Sequence, residues 1–159
     1  MQPTQKTQRK QLSPDTMQSW LSVVRVYHLC DAVLSQRLGA LGLKLPEHEL
    51  LVNLLRHPGL TQQQLAQRCF VAKSGISMLV TRMVDAGRVQ READGVDARV
   101  WRLVLTPEGR ALAERAQQVQ AGVIAEMTQA SSPAEQKVIA AAMERASVTL
   151  EGMLGGRGR

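Results

Sequence analysis

The sequence predicts a mainly helical chain with one small β-wing, and three observations lead there. Most of the chain carries apolar residues at three-to-four spacing, the period of helices packed along one face. One stretch, residues 89–105, changes to two short β-rich runs around a polar loop holding Asp94-Gly95. Hydrophobic residues make up 44% of the chain but aromatics only 3%. The core must therefore come from Leu, Val, Ala and Met, and most of these are good helix formers.

Taken in order, residues 1–12 are Gln- and Lys-rich and lack periodicity, so a mobile tail is expected there. Lys6, Arg9 and Lys10 could reach a phosphate from it. Ser13-Pro14-Asp15 starts a helix, with Ser as N-cap, Pro at the first helical position and an acid in the first turn. The helix is expected to run to Leu38, before Gly39. Trp20, Leu21, Val24, Tyr27, Leu34 and Leu38 are its main apolar positions. At 1.5 Å per residue it would be about 35 Å long, too long for a small domain to cover. A partner subunit is the simplest cover. Leu45-Pro46-Glu47 opens the next helix, to about Arg56, with Leu50, Leu51, Leu54 and Leu55 inward. His57-Pro58-Gly59 breaks it.

Residues 60–105 form the centre of the chain. Thr61 and Gln64 make a capping box, and Leu60 and Leu65 can form the hydrophobic staple around it. A short helix over about Gln62–Arg68 and a turn over about 69–72 follow. The next helix, about 73–86, has two distinct faces. Ile76, Leu79, Val80 and Met83 line a core stripe. Ser74, Ser77, Met78, Thr81, Arg82 and Asp85 lie opposite. Gly87 stops the helix, and strands at 89–92 and 100–105 follow. Helix, turn, helix and hairpin in this order make a winged helix-turn-helix, which lays one helix in the DNA major groove.

The outer stripe suits that task. Short hydroxyls allow close approach to bases and phosphates, and Met can meet a thymine methyl. An ordinary solvated face is the plainer alternative, but such faces more often carry Glu and Lys. Gln62 and Lys73 are candidate phosphate contacts. Arg91, Arg99 and Arg102 sit on the hairpin, and Arg99 near its tip is the candidate for a narrow, negative minor groove. Asp97 would repel phosphate, so it is expected to brace the hairpin or orient an Arg.

The run LTQQQLAQR…SGISMLVTRM…AGRVQREADGVDARVWRLVLTPEG resembles the MarR family of bacterial transcription regulators. The likeness includes Asp97-x-Arg99 in the wing and the Leu-Thr-Pro-x-Gly at 105–109. It departs at Ala98, where many members carry a second Arg, and at Arg88, in place of a usual aliphatic. The resemblance implies a homodimer built by the terminal helices, duplex DNA as partner, and often a small aromatic acid as effector.

The remaining helices fit that plan. Thr106-Pro107-Glu108 begins one, with Leu112, Ala116, Val119, Val123 and Met127 along it to about Gln129. Ser132-Pro133-Ala134-Glu135 is a capping box opening another, with Ile139, Met143, Ala146, Leu150 and Leu154 as its stripe. Both stripes need a further apolar surface. The expected organisation is a tail at 1–12, a dimerisation helix at 13–38, a winged domain at 45–105, dimerisation helices at 106–154 and a flexible end at 155–159.

Charge supports this layout. The chain carries +6 overall, and residues 56–110 hold nine Arg or Lys against five Asp or Glu. Residues 13–55 and 111–156 together sum to −3. The positive charge sits where phosphate neutralisation needs it. No apolar run reaches the ~18 residues of a membrane span, and the N-terminus lacks a signal-peptide core. A cytoplasmic location without membrane contact is expected.

Catalytic chemistry is absent from the pattern. The two cysteines lack C-x-x-C spacing, so neither a disulfide framework nor a zinc site is expected. His28, His48 and His57 belong to no catalytic motif. The expectation is no enzyme, no cofactor and no metal. A sensor remains. Cys30 lies among apolar neighbours, where a thiol is inert, whereas oxidation of Cys69 beside the recognition helix could disturb DNA binding. For an anionic aromatic effector the first helix offers Ser22, Arg25, His28 and Asp31, with Trp20 and Tyr27 for ring contact and His48 from the second. Arg25 and His28, three residues apart, could clamp a carboxylate.

The sequence thus points to a homodimeric repressor on a pseudo-palindromic operator, released by a phenolic, benzoate-like or hydroxynicotinate-like acid. An oxidant-sensing repressor acting through Cys69 or Cys30 is one alternative. A winged helix used only for protein contact is the other.

Overall fold

The computed structural model describes residues 12–69 and 73–155, with the backbone alone at Lys73 and Ser74. The expected tails lie outside the described residues except for Leu12 and Gly155. So does the turn after the first short helix, except for Cys69. The chain divides into two units, Met1–Gln117 and Gln118–Arg159.

The first unit opens with α1 (Pro14–Gly39) and α2 (Leu45–Arg56). Ser13 caps α1 by accepting from the Thr16 N–H at 3.1 Å. Only Leu34 and Leu38 of α1 are buried, while Met17, Trp20, Leu21, Val23, Val26 and Tyr27 all stay exposed. Gly39 ends this helix, one residue beyond the expected stop. In α2, Leu50, Leu51, Val52 and Leu54 are buried. Leu55 is only half-buried, and His48 is buried in addition.

β1 (Leu60–Thr61), α3 (Gln62–Arg68) and α4 (Lys73–Asp85) follow, then β2 (Val89–Ala93) and β3 (Trp101–Leu105). The sheet has the order β1-β3-β2 and is antiparallel throughout. The third strand, β1, was not expected: a two-residue strand is too short to show alternation. Leu60 pairs with Leu103, and Val89 with Leu105. Leu103 and Val89 are buried on the face that meets the helices. Ile76, Leu79, Val80 and Met83 of α4 are at most 2% exposed, so the expected core stripe is the observed one. Truncating one such residue to Ala costs about 2–5 kcal/mol.

Two caps fix the winged part. Thr61 accepts from the Gln64 N–H, and Gln64 Oε1 accepts from the Thr61 N–H. After α4 the chain reverses at Gly87, whose φ is 67°. The Arg88 N–H donates to Met83 O and the Gly87 N–H to Val84 O, a closed C-terminal motif. The same carbonyl row explains Gly109. A Cβ there would stand 1.8 Å from Arg88 O, so the Thr-Pro-x-Gly turn needs glycine for close approach. Thr106 locks that junction, donating to Gly87 O and accepting from the Gly109 N–H. It thereby starts α5 (Pro107–Thr128), whose Ala113 and Ala116 are buried in the first unit.

The second unit holds the end of α5 and α6 (Pro133–Gly155). Ser132 and Glu135 form the expected capping box. No residue of α6 is buried, and Val138, Ile139, Val148, Leu150, Met153 and Leu154 are all well exposed. No described helix is long and apolar enough to cross a membrane.

Candidate nucleic-acid interface

Burial of one stripe of α4 turns the other outward. Ser77, Met78, Thr81, Arg82 and Asp85 are all exposed, Met78 at 72%. Lys73 and Ser74 occupy the first turn of the same helix, and their side chains lie outside the described residues. An isolated Met so open to water gains nothing from packing within its own chain. Gln62, half-buried, opens α3.

The wing does not close on an Asp-Gly hairpin turn. Gly95 is not among the glycines with positive φ, so a type I′ turn is ruled out. The loop instead folds around Asp94. Its Oδ1 accepts from the Val96 and Asp97 N–H groups at 2.9 and 3.1 Å. Its Oδ2 accepts from Arg102 Nε, and Arg102 Nη1 donates to Gly59 O at 3.0 Å. These bonds hold the Asp94 carboxyl down at about 2, the Asp97 and Val96 N–H bonds first among them. Sequence reading passed over Asp94 and Arg102 as a pair.

Asp97 does what its position suggested. Its Oδ1 accepts from both the Arg99 N–H, at 3.0 Å, and Arg99 Nε, at 3.2 Å. The Arg99 side chain is 91% exposed, so it is aimed outward and held at its base. Arg91 is exposed on β2, opposite Leu103 in register. A groove of about 790 Å³ lies between this strand pair and the start of α3, lined by Gln62, Gln63, Arg91, Val100, Trp101 and Leu103 beside Thr61. Gln63 and Trp101 were not expected to take part. Alternation along β3 puts Trp101 on the face of Leu103, which was the available signal.

The residues expected to meet an effector are distributed differently. Trp20, Ser22, Arg25, Tyr27 and His28 are exposed along α1. Ser22 Oγ donates back to Gln18 O at 2.9 Å. The rings of Tyr27 and His28 meet edge-on, 5.4 Å between centroids. His48 stands apart in α2, 4% exposed, with Nδ1 unpartnered. Burial, then the Arg56 charge, lowers its pKa, so the neutral ring is favoured. None of the six lines the groove at the wing.

The thiols are quiet. Cys30 is half-buried and Cys69 is buried. Burial, then the Glu49 charge, pushes the Cys69 thiol up to about 11, and Asn53 Nδ2 donates toward its Sγ at 3.7 Å. Among the described residues no three His, Cys, Asp or Glu are placed to hold a metal.

Comparison with known proteins adds four likenesses. A model of the MarR family matches residues 41–100. The HTH-type transcriptional repressor Rv2887 of Mycobacterium tuberculosis is 39% identical over 85 residues, covering 54% of this chain and 61% of that protein. The chain thus spans less than two thirds of the length of that curated relative. In structure, AbsC, a MarR family transcriptional regulator from Streptomyces coelicolor, superposes with a TM-score of 0.82 at 25% identity, over 90% of this chain and 99% of that one. The salicylic acid complex of Rv2887 gives a TM-score of 0.65 at 28% identity, over 86% of this chain and 98% of that one.

Proposed function

We propose that the chain, which resembles the MarR family of winged helix-turn-helix regulators, binds duplex DNA as a homodimer and represses transcription until a small aromatic acid releases it. The observation that carries this reading is α4. A fully buried stripe fixes the helix, and the opposite face offers Ser77, Met78, Thr81 and Arg82 to a major groove. Ser74 extends that face by sequence. Arg99, held at its base by Asp97, suits the adjoining minor groove. Gln62, Lys73 and Arg91 are assigned to phosphates.

The dimer is supported by apolar surface with no cover. Much of α1 and all of α6 leave large apolar side chains in water, and contiguous exposed apolar surface marks interfaces. A second copy meeting them through its own α1 and α6 satisfies both. The two-fold then implies a pseudo-palindromic operator with half-sites about 10 bp apart. The Rv2887 complexes with salicylic and p-aminosalicylic acid support an aromatic acid as effector here. Trp20, Ser22, Arg25, Tyr27, His28 and His48 are the residues proposed to meet it. A cytoplasmic protein follows from this role.

Nuclease footprinting of the DNA upstream of its own gene tests the reading. It expects one protected dyad, lost when an aromatic acid is added. No protected site at any concentration would leave the winged helix as a protein-contact module.

A further inference from the structure

The groove beside the wing holds more than the regulator reading requires. Its apolar side is Val100, Leu103 and the Trp101 indole, which is 55% exposed. Its polar side is Gln62, Gln63 and Arg91. None of the side chains of Gln62, Gln63, Arg91 and Trp101 has a hydrogen bond or ion pair among the described residues. Donors outnumber acceptors there. Arg and indole are donors only, and each Gln amide brings two N–H donors beside one acceptor oxygen. No carboxylate lines the groove.

Trp101 itself needs an explanation. It shares the face of Leu103, but the helices cover that face only as far as Leu103. The large ring therefore continues the core face into water, beside a guanidinium and two amides. A donor-rich site next to a flat apolar wall fits an anion joined to a ring with an apolar C–H face. The repeating unit of a DNA strand is such a pair: a phosphate and a deoxyribose. The position agrees. Gln62 opens the first helix of the helix-turn-helix, and Arg91 and Trp101 lie on the wing strands, so the groove adjoins both elements already assigned to DNA.

We infer that this groove seats the sugar-phosphate backbone of duplex DNA, a deoxyribose against the Trp101 indole and phosphate oxygens on Arg91, Gln62 and Gln63. The inference rests on the DNA-binding reading and adds a contact blind to base sequence. It anchors register while α4 reads bases. Two signatures separate its parts. Arg91→Ala reduces the salt slope of binding by about one, as loss of a phosphate contact does. Trp101→Ala weakens binding about fivefold or more, on upstream and random duplex alike, and leaves the salt slope unchanged.

The direct test uses the full chain and a random-sequence duplex at low salt, with binding read by gel retardation. The chain has two tryptophans, Trp20 and Trp101. Duplex should quench the indole emission and shield it from acrylamide. Trp101→Phe, which keeps an aromatic wall and leaves Trp20 as the sole indole, should still bind and lose both responses. Binding without any emission change overturns the inference. So does a response that persists in Trp101→Phe. A wild-type chain that retards no duplex removes the DNA reading itself, and the seat with it.

Discussion

Arg102 clasps Asp94 to the body of the winged domain: its Nε donates to the Asp94 carboxylate while its Nη1 donates to Gly59 O. One guanidinium thus joins the wing loop to the turn before β1. The Asp94 carboxylate in turn organises the loop through the Val96 and Asp97 N–H groups. The clasp thereby anchors the loop that carries Arg99.

Asp94→Asn separates positioning from charge. The substitution makes the wing more positive, so charge alone would tighten DNA binding. Loss of the clasp should instead weaken it and speed amide exchange at residues 96–100. Tighter binding with unchanged exchange would reject the clasp. The carboxyl is held at about 2 against an ordinary 3.8, so its contribution is present above pH 4 and fades as pH falls through about 2. Acid titration should show a loss of wing order in that window that Asp94→Asn lacks.

Arg99→Ala should weaken operator binding about tenfold while the dimer mass stays unchanged. Asp97→Asn should give a smaller loss in the same direction, because it frees the guanidinium without removing it. Anisotropy titrations and light scattering measure the two quantities. A monomer, or an unaltered affinity, would count against the wing role.

Ser77→Ala should relax preference at a few base positions. The expected loss is about tenfold on operator and near none on random duplex, in line with one lost base contact. Equal losses on both would remove Ser77 from base reading.

The fold explains why some of this was readable in the sequence. The α4 stripe was legible because four core residues recur at one helical spacing and a cap follows them. The capping boxes at Thr61 and Ser132 were legible because each is closed within four residues. The clasp was not, since Arg102 meets partners eight and 43 residues away and only tertiary packing brings them together. The loop between the wing strands was legible from its Asp94-Gly95 signal, but not the Asp94 side-chain bonds to the loop amides that shape it. Burial of His48 was legible and missed, for Leu51 and Val52 follow it at three and four residues on the buried face.

Cys69 should resist oxidants in the folded chain. A thiol raised to about 11 is almost wholly protonated near neutrality, and thiolate is the reactive form. A thiol reagent should label Cys30 first and reach Cys69 only on unfolding, and peroxide should leave DNA binding intact. The sign of the linkage is testable too. The raised value contributes stability below about pH 9, and this is lost as pH rises through about 11. Rapid modification of native Cys69 would restore the oxidant-sensing alternative.

Arg25→Ala should blunt release by an aromatic acid without changing operator affinity in its absence. The reason is position: Arg25 is exposed on α1, one turn from His28, and distant in sequence from the DNA-facing residues. Normal release by the variant would take Arg25 out of the effector site.

One competition titration tests selective DNA binding by a ligand-released dimer. A labelled duplex from upstream of the gene is bound by the full chain, then challenged with random duplex and with salicylate. Random duplex should compete at least about 1,000-fold less well than unlabelled upstream duplex, and an aromatic acid should free the label. Equal competition by both duplexes would contradict selective binding, and would mean that the exposed face of α4 reads no sequence.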